Sequence, residues 1–311
     1  MIHNIKVRKS LIWILKLIAF VCIVVFFLMQ LTYLTSTDFD SIHLSSFPIL
    51  FSVFVLWFFN WGCELLKWHI ILKTTPQRIS LKTTIQSLFT GIATGVITPN
   101  RIGNFIGRII FFGGRSRGLL ILGTLYSNFS QFLASILFGC LGFYFLQNSI
   151  PFYSPLLLII FIIVFTAFLL FYFFWNKIKF PRSKILKRYT NSIRLFGEVV
   201  NPIRIPILAL SMMRYLVFST QYVLLLVAFG VSFSFLLVAA IFLIYFMSTL
   251  IPSVFTGKLI IRESASLLIL GLFIENQALI LLASTLLWII NLGIPSLIGG
   301  IILLKTKIKS L

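Results

Sequence analysis

Six apolar runs, at about residues 11–33, 47–72, 117–147, 153–175, 204–229 and 276–304, are each long enough to cross a bilayer as a helix. A hydrocarbon core of about 30 Å needs roughly 20 apolar residues per helix. Inside that core only helices or closed barrels satisfy the backbone. The expected fold class is all-α, a polytopic membrane helical bundle. With 59% hydrophobic and 10% charged residues, little of the chain is left for a soluble surface. The longest polar interval, about 176–203, is too short to fold alone. The 311 residues therefore read as a single integral membrane domain.

Two further apolar regions are interrupted. Region 84–112 is broken by Thr98-Pro99-Asn100-Arg101-Ile102-Gly103, and region 235–272 by Pro252 and Gly257-Lys258. Each half is short for a span. Irregular backbone at membrane depth is tolerated only where it is buried in protein or lines a cavity.

Charge orients these segments. The chain carries 26 Lys and Arg against 6 Asp and Glu, a formal net charge of +20. In a soluble protein such a balance points to nucleic acid; in a membrane chain the positive-inside rule comes first, and no nucleic-acid partner is expected. The basic start (Lys6, Arg8, Lys9) resembles a signal peptide, but run 11–33 exceeds the roughly 7–15 residues of a signal core, so it reads as a retained helix. Placing that end in the cytoplasm puts Asp38 and Asp40 outside and Lys73, Arg78 and Lys82 inside. A re-entrant hairpin at 84–112, entered from the cytoplasm, keeps Arg115 and Arg117 inside. The loop at 148–152 then lies outside, and the basic stretch from Lys177 to Arg204 lies inside. A second re-entrant hairpin at 235–272 opens from the outside, and Lys305, Lys307 and Lys309 end in the cytoplasm. The layout is a multi-pass protein of the cytoplasmic membrane with both termini cytoplasmic.

Span, hairpin and span thus occur twice, over 47–147 and 204–304, with hairpins entered from opposite sides. That is the pattern of an inverted repeat, in which broken helices meet near the midplane. The alternative is eight or more complete spans with two short tilted pairs, which leaves the termini on the same side.

The breaks carry the chemistry. Gly91 and Gly95 form a small-xxx-small pair suited to close helix approach. Pro99 ends its helix. Arg101 and Arg108, two turns apart, face one way if that segment is helical, and guanidinium forks suit phosphate oxygens; the alternatives are snorkelling to the interface or pairing with Glu64. In the second break Lys258 and Arg262 share a helical face beside Glu263, either as a cationic head-group site with Glu263 as orienter or proton carrier, or as an Arg262–Glu263 pair that only fixes the hairpin. Glu64 pairs with Lys67 along its helix or reaches Arg101 or Arg108 across the bundle. Arg214 lies too deep to snorkel easily. Trp13, Trp68 and Trp175 read as interfacial belt residues.

Cys22, Cys63, Cys140, His3, His43 and His69 are scattered, so no metal site and no cofactor is expected. No Ser–His–Asp set, Walker loop or Rossmann loop appears, and no enzymatic activity is expected.

At the two breaks the chain resembles the lysylphosphatidylglycerol synthase transmembrane region family. Pro99-Asn100-Arg101-Ile102-Gly103 with Arg108 is similar to its first signature. Pro252 to Gly257-Lys258 with Arg262-Glu263 is similar to its second. The helix pattern is similar over most of 10–305, through Gly293-Ile294-Pro295 and Gly299-Gly300. The resemblance implies a flippase-like bundle that handles a lipid or lipid-linked head group, either an anionic phospholipid or a polyprenyl-phosphate-linked one. Asn104 stands where the family commonly has an acidic residue, so ion or proton coupling is not carried over to that hairpin. The 311 residues contain no soluble aminoacyl-transferase segment, so lysyl transfer is not expected. The expected head-group site comprises Glu64, Pro99, Asn100, Arg101, Gly103, Asn104, Arg108, Pro252, Gly257, Lys258, Arg262 and Glu263. The competing expectation is a non-catalytic membrane partner that scaffolds a separate glycosyl- or aminoacyl-transferase.

Overall fold

The computed structural model describes residues 42–75, 79–98, 101–113, 116–175, 196–251 and 258–306. The expected first span, Pro99, Asn100, Pro252, Gly257 and the Lys258 side chain lie outside this set. The described residues form helices throughout. These are α1 (Phe47–Leu72), α2 (Leu81–Val96), α3 (Gly103–Ile109), α4 (Ser116–Phe145) and α5 (Pro155–Phe174), followed by α6 (Arg204–Ala228), α7 (Phe235–Leu250), α8 (Lys258–Leu270), α9 (Gln277–Trp288) and α10 (Ile294–Lys305). A π turn at Ile289–Gly293 joins α9 and α10 into one continuous helix.

Local chemistry sets the helix starts. Prolines occupy the first turns of α1 and α5, where a missing N–H costs nothing. Ser80, Ser234 and Asn276 cap α2, α7 and α9, each accepting a hydrogen bond from a backbone N–H three residues on. Among the described residues, five helices are long and apolar enough to cross a membrane: α1, most of α4, α5, Phe196–Ala228 and Gln277–Lys305. α5 is the most lipid-like, with only 6% of its most apolar window buried. The outward Phe47, Phe51, Phe58 and Phe59 of α1 extend that apolar surface.

The first interrupted region folds back as expected, and α7 and α8 of the second pack side by side. Thr94 in α2 meets Gly103 in α3, and Thr90 and Gly91 meet Gly107, so α3 returns alongside α2. The approach is so close that a Cβ on Gly103 would overlap the Thr94 carbonyl, and one on Gly107 would lie 2.6 Å from the Thr90 carbonyl oxygen. Gly91 and Gly95 face Asn104 in the same hairpin. The small residues therefore bring together the two arms of one broken helix. Thr98 Oγ1 accepts from the Gly103 N–H at 2.7 Å and holds the turn. Gly103→Ala is expected to cost about 1–3 kcal/mol by overpacking. Gly62→Ala, whose Cβ meets open space, is expected to gain up to about 1 kcal/mol. Unfolding temperatures of the purified variants check both.

The hairpins pack reciprocally. α2 lies on α10, where Gly299 abuts the Phe89 carbonyl, and α7 lies on α4, where Gly142 abuts the Ala239 carbonyl. α1 and α6 form the most extensive helix pair. Two apolar cores result. One joins α7, α8 and α9 to the C-terminal halves of α4 and α6. The other joins the C-terminal half of α1 and α2 to the N-terminal halves of α4 and α6. Polar residues at mid-length of α1, α4 and α6 separate them.

Candidate functional site

The separation begins with the pattern of α1. Asn60, Glu64 and Lys67 stand four and three residues apart, so they form one stripe on the helix. Trp61 and Trp68 flank it. In an isolated helix this stripe would strand a carboxylate in hydrocarbon, at a cost of several kcal/mol. Here other helices bring partners to it.

Glu64, 4% exposed, is shared by three cations. Its Oε2 takes Lys67 Nζ at 2.9 Å and Arg214 Nη1 of α6 at 3.1 Å. Its Oε1 takes Arg108 Nη2 of α3 at 2.8 Å. Each cation has a second support. Lys67 donates to Ser211 Oγ at 3.1 Å. Arg108 Nε donates to Asn104 Oδ1 at 3.0 Å, and its guanidinium lies over the Trp68 ring at 4.8 Å. Arg214 Nε donates to Asn60 Oδ1 at 3.0 Å, and its guanidinium lies over Trp61 at 5.2 Å. A chain of amides continues from there. Asn60 Nδ2 donates to Asn291 Oδ1 at 2.6 Å, Asn291 Nδ2 to Gln221 Oε1 at 2.9 Å, and Gln221 Nε2 to the Val53 carbonyl at 2.9 Å. Asn291 sits in the π turn. Pro295, four residues on, has no N–H to offer its carbonyl, which favours the irregular turn there.

The second hairpin contributes Arg262 of α8. Its Nη2 pairs with Glu263 Oε1 at 2.9 Å and donates to the Ser284 carbonyl at 2.7 Å, while its Nε donates to Ser284 Oγ at 3.1 Å. Glu263, 3% exposed, pairs with Arg262, whose own bonds to Ser284 anchor it to α9, and Arg262 also lines the cavity.

The cavity between the cores has a volume of about 520 Å³. Lys67, Arg101, Arg108, Arg214 and Arg262 line it. Glu64 lines it too, and the rest of the wall is neutral: Asn128, Gln131 and Ser135 along one face of α4, Ser248 and Thr249 of α7, and the rings of Phe132, Phe218 and Tyr245. Arg101 stands apart from the other cations. Its backbone has φ +57°, a left-handed conformation that costs a non-glycine residue about 1–2 kcal/mol. Its side chain is open to the cavity, interacts through space with Arg214, Arg262 and Glu64, and makes no hydrogen bond or ion pair with any described residue. Arg108 Nη1 is buried and has no hydrogen-bond partner among the described residues.

Of the residues expected from sequence, Glu64, Arg101, Asn104, Arg108 and Arg262 meet at this cavity. Gly103 serves the hairpin turn and Glu263 supports Arg262. Pro99, Asn100, Pro252, Gly257 and the Lys258 side chain are outside the described residues. Lys67 and Arg214, noted in the sequence only for a local ion pair and for depth, are cavity residues. Asn60, Gln221 and Asn291 were not anticipated, although their signal, amides inside apolar runs, is present. Two readings need correction. Trp68 is not an interfacial belt residue: it is fully buried, donates to Ser87 Oγ at 2.7 Å and carries Arg108 on its ring. Arg204 is not a loop cation: it is buried, its guanidinium donates to the Phe173 carbonyl, and its own carbonyl accepts from Tyr172 Oη at 2.8 Å, tying α6 to α5.

Compared with known proteins, residues 12–299 match the family model described as the lysylphosphatidylglycerol synthase TM region. No curated protein and no solved structure matches the chain.

Proposed function

The chain belongs to the lysylphosphatidylglycerol synthase transmembrane region family, and from that premise we propose that it moves a lipid with an anionic head group across the cytoplasmic membrane. The observation that carries this reading is the cavity at mid-length of the long helices, lined by five cations among the described residues, of which Arg101 has no side-chain hydrogen-bond or ion-pair partner among those residues. Uncompensated charge in a low-dielectric setting is costly, and a bound phosphate relieves it through the forked donors of arginine. A volume of about 520 Å³ falls in the range of about 300–1,000 Å³ usual for ligand pockets. The neutral wall of α4 and α7 suits the uncharged polar part of a head group, and acyl chains have lipid-facing surface to follow.

The mechanism is alternating access around two broken helices. Arg101 and Arg108 come from the first hairpin, Arg262 from the second, and Arg214 and Lys67 from the α6 and α1 scaffold. The reciprocal packing of α2 on α10 and of α7 on α4, about the α1–α6 pair, supports reading 47–147 and 204–304 as an inverted repeat. In that reading the hairpins rock against the scaffold and open the cavity first to one leaflet, then to the other. Glu64 holds three cations in register while the cavity is empty, and the phosphate competes for them on entry.

The test is reconstitution of the purified protein into liposomes carrying a fluorescent phosphatidylglycerol, with transbilayer movement followed by dithionite quenching. Movement above that of protein-free liposomes is expected, and its absence contradicts the reading. The topology has its own check. Lys73 and Asn148 are exposed at opposite ends of the described bundle. Lys73→Cys is expected to react with an impermeant thiol reagent only from the cytoplasmic side, and Asn148→Cys only from outside. Reaction of both from one side contradicts the arrangement.

A further inference from the structure

We infer that the cavity selects a lipid diphosphate, a monoester with a terminal phosphate, over a singly charged phosphodiester and over a cationic aminoacylated lipid. This rests on the proposed head-group site and names its substrate class.

The inference comes from which charges are already cancelled. Glu64 is one carboxylate shared among Lys67, Arg108 and Arg214, so two of those three charges have no counter-ion. Glu263 cancels Arg262. Arg101 has no ion-pair partner among the described residues. Among the described residues, three positive charges therefore remain uncompensated around the cavity. Arg108 is held, 2% exposed, with Nη1 lining the cavity and without a hydrogen-bond partner among the described residues, while the exposed Arg101 opens onto the same cavity. The excess is also spread. Arg108 lies over Trp68 on one side, and Arg262 is anchored to Ser284 on another, with Arg101 and Arg214 close enough to interact through space. One phosphodiester carries about one negative charge and cannot neutralise three cations on different helices, whereas a phosphate monoester carries about two, and a diphosphate monoester adds a further ionised oxygen and a second set of acceptors. An aminoacylated head group brings an ammonium into a site that already repels cations, and like charge at short range is a strong discriminator.

The experiment uses purified full-length protein in nanodiscs of neutral phosphatidylcholine and measures binding of four probes: farnesyl diphosphate, phosphatidylglycerol, lysylphosphatidylglycerol and inorganic pyrophosphate. Farnesyl diphosphate is expected to bind about tenfold or more tighter than phosphatidylglycerol, equivalent to about 1.4 kcal/mol, with lysylphosphatidylglycerol weakest of the lipids. Arg101→Gln and Arg262→Gln are each expected to shrink that preference. Equal binding of the two anionic lipids, or a preference that both variants leave intact, overturns the diphosphate assignment while the anionic-lipid reading stands. Pyrophosphate binding as tightly as farnesyl diphosphate overturns a lipid as the source of the diphosphate. No binding of any lipid overturns both readings.

Discussion

Glu64→Gln is expected to destabilise the bundle more than any other single substitution at the cavity. The carboxylate is the shared acceptor for Lys67, Arg108 and Arg214 at 2.8–3.1 Å. Glutamine keeps the shape but removes the charge and replaces one acceptor with an NH₂ donor. That donor would face either Arg108 Nη2 on one side or Lys67 and Arg214 on the other. Breaking a buried ion pair by removing one member costs about 3–5 kcal/mol, because the remaining charge stays buried. Here three cations are left, on helices that the pair holds together: α1, α3 and α6. Cys63 and Cys140 are free and buried, so a thiol-reactive dye in a thermal ramp reports the unfolding. A large drop in unfolding temperature is expected. Because the partners are coupled, the Glu64→Gln/Arg214→Gln double variant is expected to recover part of that loss. An unchanged unfolding temperature for Glu64→Gln contradicts the structural role given to it.

Arg101→Gly is expected to do the opposite: abolish transport and leave stability intact. The Arg101 side chain makes no hydrogen bond or ion pair with any described residue, and the residue adopts a left-handed backbone. Glycine accepts that backbone freely, which relieves about 1–2 kcal/mol against an entropy cost of about 0.5–1 kcal/mol. It also removes a cation from a positive cluster. The unfolding temperature should therefore hold or rise, while lipid movement in liposomes falls by about tenfold or more, the loss of one charge-assisted phosphate contact. Loss of both stability and movement would make Arg101 a structural residue; retention of both would remove it from the site. A strained residue whose side chain makes no hydrogen bond or ion pair with any described residue is the pattern of a functional position.

The sequence carried most of the fold because bilayer thickness acts on chain length directly. The limits of α1 coincide with run 47–72, and α4, α5 and α6 end within a few residues of their runs. The fold-back of 84–112 was legible from two opposed facts: the arginines after the break, and the shortness of each arm. The site was legible only in part. Arg101, Arg108 and Arg262 stand out because a charge in an apolar run is rare. Their common destination did not, since nothing in spacing says that residue 64 meets residues 108 and 214. Lys67 was hidden by its own nearness to Glu64, which gave it a sufficient local explanation. Asn60, Gln221 and Asn291 were hidden because amides carry no charge and are tolerated in membrane helices; only packing reveals the chain they form. Trp68 was misread because proximity to a run's end resembles an interface, whereas it lies beneath α3, a helix that begins only after the break.

The most direct measurement on the central claim is native mass spectrometry of the purified protein with phosphatidylglycerol and phosphatidylcholine at equal concentration, for the parent chain and an Arg101→Gln/Arg262→Gln double variant. Basic loops hold anionic lipid in both proteins, so the difference between them isolates the cavity. Preferential retention of phosphatidylglycerol by the parent, lost in the double variant at an unchanged unfolding temperature, is the expected result. Equal retention of the anionic lipid by both proteins would contradict a head-group site at this cavity.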